Sequence, residues 1–388
     1  MKARENGMTI MKMDASRIRS ILLFSCASLF VSAFFYIKPF LLTPNHYSSS
    51  AALFVFGSSV FDPGNNNYIN TTTSSQANFW PYGETFFRYP TGRFSDGRLI
   101  ADFITEYAQL PSILPYLHPS YQSYIHGANF ASGGSGALVE TNKGLVIDLK
   151  TQLRNFRKVR ETLRQRLGED EAARLVSKAV YLFNIGSNDY TVYLLQNSST
   201  YTPQEYVNMV IGNITDVIQE KVLYVKGIHK NGGRKFGFLG LWNLGCLPIS
   251  RLILKHDGSC WEEASSLAIL HNTQLYVLLQ KLEKQLEGFK YSYTHSYDIF
   301  TEMTDNPSKY GFKEGKVACC GSGPYNGYYS CGGKRGIEEY ELCENPDEHV
   351  FFDYGHLSDR ANQFFANQMW NGDLIVTWPY NLRTLFKE

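Results

Sequence analysis

The chain has almost no net charge. Its 37 Lys/Arg and 36 Asp/Glu leave a formal +1, which removes any electrostatic reason to expect nucleic acid or an anionic membrane as a partner. No Pro/Gly/Ser-rich linker and no internal repeat breaks the 388 residues, so one large domain is the simplest reading of a length that would allow two. Metal-ligand spacing is missing as well: the adjacent Cys319 and Cys320 come without nearby histidines, which suits zinc poorly. The glycines after Asn129 lack the spacing of a dinucleotide fingerprint, and no feature matches proteolysis or phosphoryl transfer. What is present is 44% hydrophobic and 15% aromatic residues, enough for a large core.

The first 33 residues stand apart. Arg17 and Arg19 precede an apolar run from Ile21 to Ala33, the basic and hydrophobic regions of a secretory signal peptide. We expect residues 1–33 to be a signal peptide cleaved between about 33 and 50, with Met8, Met11 and Met13 as alternative starts. An uncleaved signal anchor is the other reading of a run that reaches towards Ile37. This segment holds five Lys/Arg and two Asp/Glu, so the remainder carries a net −2.

Cysteine usage fits secretion. Beyond Cys26 in the presumed signal peptide there are six cysteines, Cys246, Cys260, Cys319, Cys320, Cys331 and Cys343, an even number that suggests disulfides. Local pairing of Cys246 with Cys260, and of Cys319 and Cys320 with Cys331 and Cys343, is expected, with zinc as the rival. Asn70, Asn197 and Asn213 each open an Asn-X-Ser/Thr sequon, consistent with glycosylation on an extracellular route.

Along the rest of the chain, apolar runs stop repeatedly at glycine and small polar residues. Leu53 to Phe56 ends in Gly57-Ser58-Ser59, then Asp62-Pro63-Gly64 and three asparagines. This predicts a buried strand ending in a tight turn that exposes a hydroxyl. By itself it is an ordinary turn. The connection from Asn65 to Arg98 is long enough to be functional and begins beside that hydroxyl. A helix is expected over Leu99–Ala108 and a second strand over Ser123–Asn129, leading into Ser132-Gly133-Gly134-Ser135, whose backbone N–H groups could face an anion. A basic helical stretch follows over Ile147–Leu167. The third strand, Ala179–Ile185, ends in Gly186-Ser187-Asn188-Asp189. Helix Pro203–Lys226, strand Lys235–Leu241, helix Glu262–Leu286 and strand Phe289–Tyr297 complete an alternation that predicts an α/β fold around a mainly parallel, doubly wound sheet. Near the end, Asp353 and His356 stand three apart before the helical Ala361–Trp370. At a helix start they would share a turn, with the carboxylate holding the imidazole towards a serine.

In this order, Phe-Gly-Ser-Ser-Val-Phe-Asp-Pro-Gly-Asn-Asn, Asn-Phe-Ala-Ser-Gly-Gly, Ile-Gly-Ser-Asn-Asp-Tyr and Asp-Tyr-Gly-His closely resemble the plant GDSL esterase/lipase family of the SGNH hydrolases. The resemblance spans residues 51–385, and the cysteine-rich tail looks most like the defence-associated branch. It implies a three-layer α/β/α sandwich with five parallel strands in flavodoxin-like order. It further implies a secreted ester hydrolase acting on small-molecule or lipid esters through Ser59, His356 and Asp353. The oxyanion hole would be formed by Ser59, Gly134 and Asn188. It implies neither metal nor organic cofactor, no nucleic-acid partner and no stable membrane insertion after signal cleavage. The chain departs from the family at Ser58, where an aspartate is usual, and at Val60 and Leu357. Ser58 is expected to hold the nucleophile turn by accepting hydrogen bonds without charge. A secreted binding protein with impaired catalysis is the alternative.

Overall fold

The computed structural model describes residues 51–196, 200–219, 227–254 and 258–388. The signal-peptide reading over 1–33, the sequon at Asn197 and the end of the expected helix at 220–226 lie outside them. The described strands are β1 Leu53–Gly57, β2 Gly127–Asn129, β3 Val180–Asn184, β4 Lys235–Leu239, β5 Lys290–Thr294, β6 Cys320–Gly321, β7 Glu341–Leu342 and β8 Thr377–Pro379. The main sheet runs β2-β1-β3-β4-β5-β8. Its first five strands are parallel, and β8 joins the edge antiparallel to β5. The sixth strand was not expected; the five parallel strands were.

Helices cover both faces. They are α1 Ile100–Tyr107, α2 Leu149–Leu167, α3 Glu169–Lys178, α4 Ser187–Leu195, α5 Pro203–Gln219, α6 Pro248–Leu254, α7 Glu262–Gln285, α8 Tyr297–Asp305, α9 Asp359–Asn371 and α10 Leu382–Lys387. Strand alternation divides the core into two layers. Phe54 and Phe56 of β1 join Tyr181, Phe183, Phe236 and Phe238 under α2, α3, α5 and α7. Leu53 and Val55 join Val180, Leu182 and Leu239 under α1, α8, α9 and α10. Stacked rings cross the first layer from strand to strand, Phe56 on Phe183 at 4.9 Å and Phe183 on Phe238 at 5.2 Å, so cross-strand aromatic pairs add to burial in setting the register.

Three local expectations need correction. The second strand begins at Gly127 rather than Ser123, because Tyr124 (φ +53°) and Gly127 (φ +117°) turn the chain there. A Cβ on Gly127 would fall 1.8 Å from the Leu53 carbonyl oxygen, so glycine is required where β2 meets β1. The basic helical stretch ends at Leu167 as expected, but the fifth strand stops at Thr294 rather than Tyr297, because Tyr297 already opens α8. Asp353 and His356 also precede α9, which starts at Asp359 with the Ser358 hydroxyl as its N-cap.

The expected disulfides are present as Cys246–Cys260, Cys319–Cys343 and Cys320–Cys331. All six cysteines are engaged, so the zinc alternative has no thiolate left.

Buried polar side chains anchor the long connection after β1. Arg93 forms a two-pronged pair with Asp102 at 2.7 and 2.8 Å. Asp96 takes the Asp359 backbone N–H at 2.8 Å and the Thr85 hydroxyl at 2.8 Å, tying the loop to the start of α9. Burial pushes the Asp96 carboxyl up to about 7, against those two donors, while the nearby Asp359 charge adds to the rise. A carboxyl raised in the folded state contributes stability that is full below its unfolded value and lost as pH rises through about 7. The unfolding free energy of wild type relative to Asp96→Asn is therefore expected to increase by about 2–3 kcal/mol between pH 8 and pH 5. Parallel denaturant titrations of the two proteins would check it, and a difference independent of pH would contradict it.

Candidate active site

The site starts at the carboxyl end of β1. Gly57 (φ +149°) passes so close to β3 that a Cβ would lie 2.3 Å from the Asn184 carbonyl oxygen. Its own backbone is clasped by Gln152, whose side chain accepts from the Gly57 N–H and donates to its carbonyl, both at 2.9 Å. The same carbonyl accepts from the Ser135 hydroxyl at 2.8 Å and from the Ser132 N–H at 3.0 Å. The chain leaves this clasp in a turn, with the Phe61 and Asp62 N–H groups on the Ser58 carbonyl at 3.1 and 3.0 Å. Ser59 emerges from it at the edge where the strand order reverses between β1 and β3, the place where open parallel sheets bind ligands.

The three residues expected to form a triad are together. Ser59 Oγ is 2.8 Å from His356 Nε2, and His356 Nδ1 is 2.7 Å from Asp353 Oδ1. With Nδ1–H donating to the carboxylate, Nε2 is left to accept from the serine. Asp353 is fully buried. Its Oδ1 also accepts the N–H groups of Gly355 and His356 at 3.0 and 2.9 Å, and its Oδ2 accepts the Tyr82 hydroxyl at 2.7 Å. The Asp-X-X-His unit is thus a turn closed by its own carboxylate, with Phe351 bridged to Leu357, rather than the first turn of a helix. Burial alone would raise this carboxyl, but the His356 charge and hydrogen bond, Arg335 and the Gly355 N–H together hold it below the usual carboxylate range. Phe94 covers the imidazole, with ring centroids 4.7 Å apart.

Ser59, Gly134 and Asn188 line one cavity of about 360 Å³ together with His356. Among the described residues the N–H groups of Ser59 and Gly134 donate to nothing else in the protein. Gly134 needs a positive φ of +81° to present its N–H, and the Asn142 amide holds its carbonyl at 2.7 Å. Asn188 donates one amide hydrogen to the Ser135 carbonyl at 2.9 Å, which orients the second. Opposite this polar corner, Leu241, Trp242, Leu244, Leu247 and Ile249, from the segment after β4, form an apolar wall.

Several supporting residues escaped sequence reasoning. Asp189 accepts the N–H groups of Ala137 and Leu138 at 2.8 and 3.0 Å and the Thr141 hydroxyl at 2.6 Å, binding the start of α4 to the glycine loop. Burial pushes it up to about 6, against those three donors. Its place directly after Asn188 was the available signal. Asp62 accepts from Gly64, Asn65 and Gly133 N–H at 2.8, 2.6 and 2.7 Å. Burial pushes it up to about 6 as well, opposed by those N–H groups and by Arg93. Gln152 sits in the basic helical stretch, whose pattern marked none of its residues for the site. Ser58 does not behave as expected: its hydroxyl is buried and has no partner among the described residues. The carboxylate that holds the turn is Asp62, three residues after Ser59.

A serine hydroxyl, an imidazole and a buried carboxylate in line at the carboxyl edge of a parallel sheet define a serine hydrolase arrangement. Residues 53–369 match the family described as GDSL-like Lipase/Acylhydrolase. The chain is 49% identical to GDSL esterase/lipase 5 and to GDSL esterase/lipase 1, both of Arabidopsis thaliana, over 89% and 88% of its length and 90% and 92% of theirs. It is 50% identical to a GDSL lipase of Tanacetum cinerariifolium, covering 87% of this chain and 88% of that one. The chain belongs to the plant GDSL esterase/lipase family and is an ester hydrolase.

The roles of Ser58 and Asp62 can be separated by stability. Ser58→Ala removes a buried hydroxyl that has no partner among the described residues and is expected to leave unfolding free energy unchanged or raise it by about 1 kcal/mol, with ester turnover within about threefold of wild type. Asp62→Ala strands three buried N–H groups and should cost about 3 kcal/mol or more. Denaturant unfolding of both variants distinguishes them, and equal losses would return the turn-holding role to Ser58.

Proposed function

We propose that the protein is a secreted serine carboxylesterase or lipase that cleaves lipid or other acyl esters through Ser59, His356 and Asp353. The observation that carries this reading is the continuous chain of 2.8 and 2.7 Å contacts from Ser59 through His356 to a buried carboxylate. In acylation, His356 Nε2 takes the Ser59 proton as Oγ attacks the ester carbonyl carbon. Negative charge developing on the carbonyl oxygen is met by the N–H groups of Ser59 and Gly134 and by the Asn188 amide. Collapse of the tetrahedral adduct breaks the bond to the alkoxy oxygen, which leaves as the alcohol with the proton from His356. Water, deprotonated by the same nitrogen, then attacks the acyl-serine and releases the carboxylic acid. Asp353 stays ionised throughout and offsets the imidazolium charge. The apolar wall from Leu241 to Ile249 favours an acyl group with a hydrocarbon chain or ring.

Secretion to the apoplast or cell wall is supported by the composition of residues 1–33 and by the three disulfides. Among the described residues no helix is long and apolar enough to cross a membrane. We take Asn70, Asn197 and Asn213 as glycan acceptors. Asn70 is exposed in a loop, whereas the Asn213 amide bonds to the Met209 carbonyl within α5 at 2.9 Å. We further propose a role in plant defence, on the resemblance of the cysteine-rich tail to the defence-associated family branch.

Hydrolysis of p-nitrophenyl acetate, butyrate and octanoate by the purified protein tests the mechanism. Ser59→Ala is expected to reduce turnover to background, and Asn188→Ala to lower kcat by about 10²–10³ with little change in KM. Full turnover in Ser59→Ala would overturn the reading.

A further inference from the structure

The carboxylate of Asp353 has a second side. Its Oδ1 serves His356, while Oδ2 points to the Tyr82 hydroxyl at 2.7 Å. Tyr82 is fully buried, and burial pushes its phenol well above the ordinary value, so the hydroxyl keeps its proton and donates it to the carboxylate. The same oxygen accepts from Arg335 Nη1 at 2.7 Å. Arg335 Nη2 is held by the Gln76 carbonyl at 2.6 Å and Nε reaches the Thr73 carbonyl at 3.4 Å. The guanidinium lies among four rings, with centroids of Tyr329, Phe79, Tyr82 and Phe94 at 4.4, 5.0, 5.2 and 5.8 Å.

A guanidinium surrounded by rings loses hydration, and among the described residues Arg335 has no direct carboxylate partner. Its counter-charge is Asp353, one hydroxyl away. The neighbouring cation, Lys334, is exposed to solvent, so of the two adjacent positive residues only Arg335 turns inward.

The segment that delivers Arg335 is fastened to the catalytic loop. Cys331 is joined to Cys320, and the N–H groups of Cys319 and Cys320 donate to the carbonyls of Phe351 and Phe352 at 2.9 and 2.7 Å, directly before Asp353. Gly332 (φ +79°) lies against the loop that carries Tyr82: a Cβ there would meet the Trp80 carbonyl oxygen at 2.5 Å and the Phe79 ring at 2.7 Å.

We propose that Arg335, acting through Tyr82, is a positioning residue for Asp353. It polarises the tyrosine hydroxyl into a strong donor, pins the rotation of the carboxylate so that Oδ1 remains on His356, and favours its ionised form. The groups that face Asp353 are His356 on its own turn, Tyr82 from the long connection, Arg335 and Tyr329 from the disulfide-bound tail, and Tyr354 beside it. Of these only Arg335 carries a permanent positive charge. This inference rests on the Ser59–His356–Asp353 reading.

The test measures kcat and KM for p-nitrophenyl butyrate from pH 4 to 9 with full-length wild type, Tyr82→Phe, Arg335→Met and Arg335→Lys, together with unfolding temperatures and a Ser59→Ala control. Tyr82→Phe and Arg335→Met are expected to lower kcat by about 10- to 100-fold, the weight of one charge-assisted hydrogen bond, with KM within about threefold. Both should move the acid limb of kcat to higher pH, because the Asp353–His356 pair, without that donor or that cation, takes up a proton more easily. Arg335→Lys should restore the position of the limb but only part of kcat, since an ammonium keeps the charge and lacks the planar fork. Folded Tyr82→Phe and Arg335→Met proteins with wild-type kcat and an unmoved acid limb would overturn the proposal. So would a loss of kcat that tracks unfolding temperature while the pH profile stays fixed. If Arg335→Met does not fold, Tyr82→Phe, which keeps the buried ring, decides alone. Activity in Ser59→Ala would instead locate the failure in the triad reading.

Discussion

Gly57 lying against the backbone of Asn184 is the constraint on which the rest of the site depends. No side chain fits between β1 and β3 at that point, because the space for a Cβ is already taken by a carbonyl oxygen. Close approach lets β1 end in a tight turn while Gln152, Ser132 and Ser135 still satisfy its last carbonyl and N–H. A buried backbone group left without a partner there would cost as much as a lost hydrogen bond. Meeting that requirement draws the glycine loop and α2 to the end of β1, and both then become walls of the site.

From that point the site is assembled by carboxylates that act as clamps rather than chemical agents. Asp62 gathers three N–H groups from its own turn and from the glycine loop. Asp189 gathers two N–H groups and a hydroxyl, so that Gly134 and Asn188 face the same cavity. Asp96 ties the long connection to α9. Each is fully buried, and multiple hydrogen bonds compensate for the loss of water. With the turn held by Asp62, the serine at position 58 sits where its buried hydroxyl has no partner among the described residues. The disulfide-bound tail completes the enclosure by bringing Arg335 to the far side of Asp353.

The elements whose order was legible in the chain were those with strong local signals. Three of the five parallel strands lie within two residues of their apolar runs, because a strand buried on both faces must be apolar throughout. The cysteines paired locally as their short separations suggested. The residues at glycine-terminated strand ends, Ser59, Gly134 and Asn188, line one cavity as the motif order implied. Less legible were features set by contacts distant in sequence. β2 shortened because Gly127 packs on Leu53, and β8 became a strand only because β5 offered an unpaired edge.

Chain chemistry alone therefore determined the alternation of strands and helices, the small residues at the strand ends and the serine, histidine, carboxylate and amide groups that stand as candidates for the site. These depend on side-chain type and short-range spacing, which sequence displays directly. The geometry that joins them did not. Whether Asp353 and His356 stood on a helix or in a turn, and which carboxylate held the nucleophile loop, depended on hydrogen bonds between segments separated by tens to hundreds of residues. So did the turning inward of Arg335 towards a tyrosine 253 positions away. Such bonds are selected by which buried donors and acceptors the packed core leaves facing one another, and only the tertiary structure decides that.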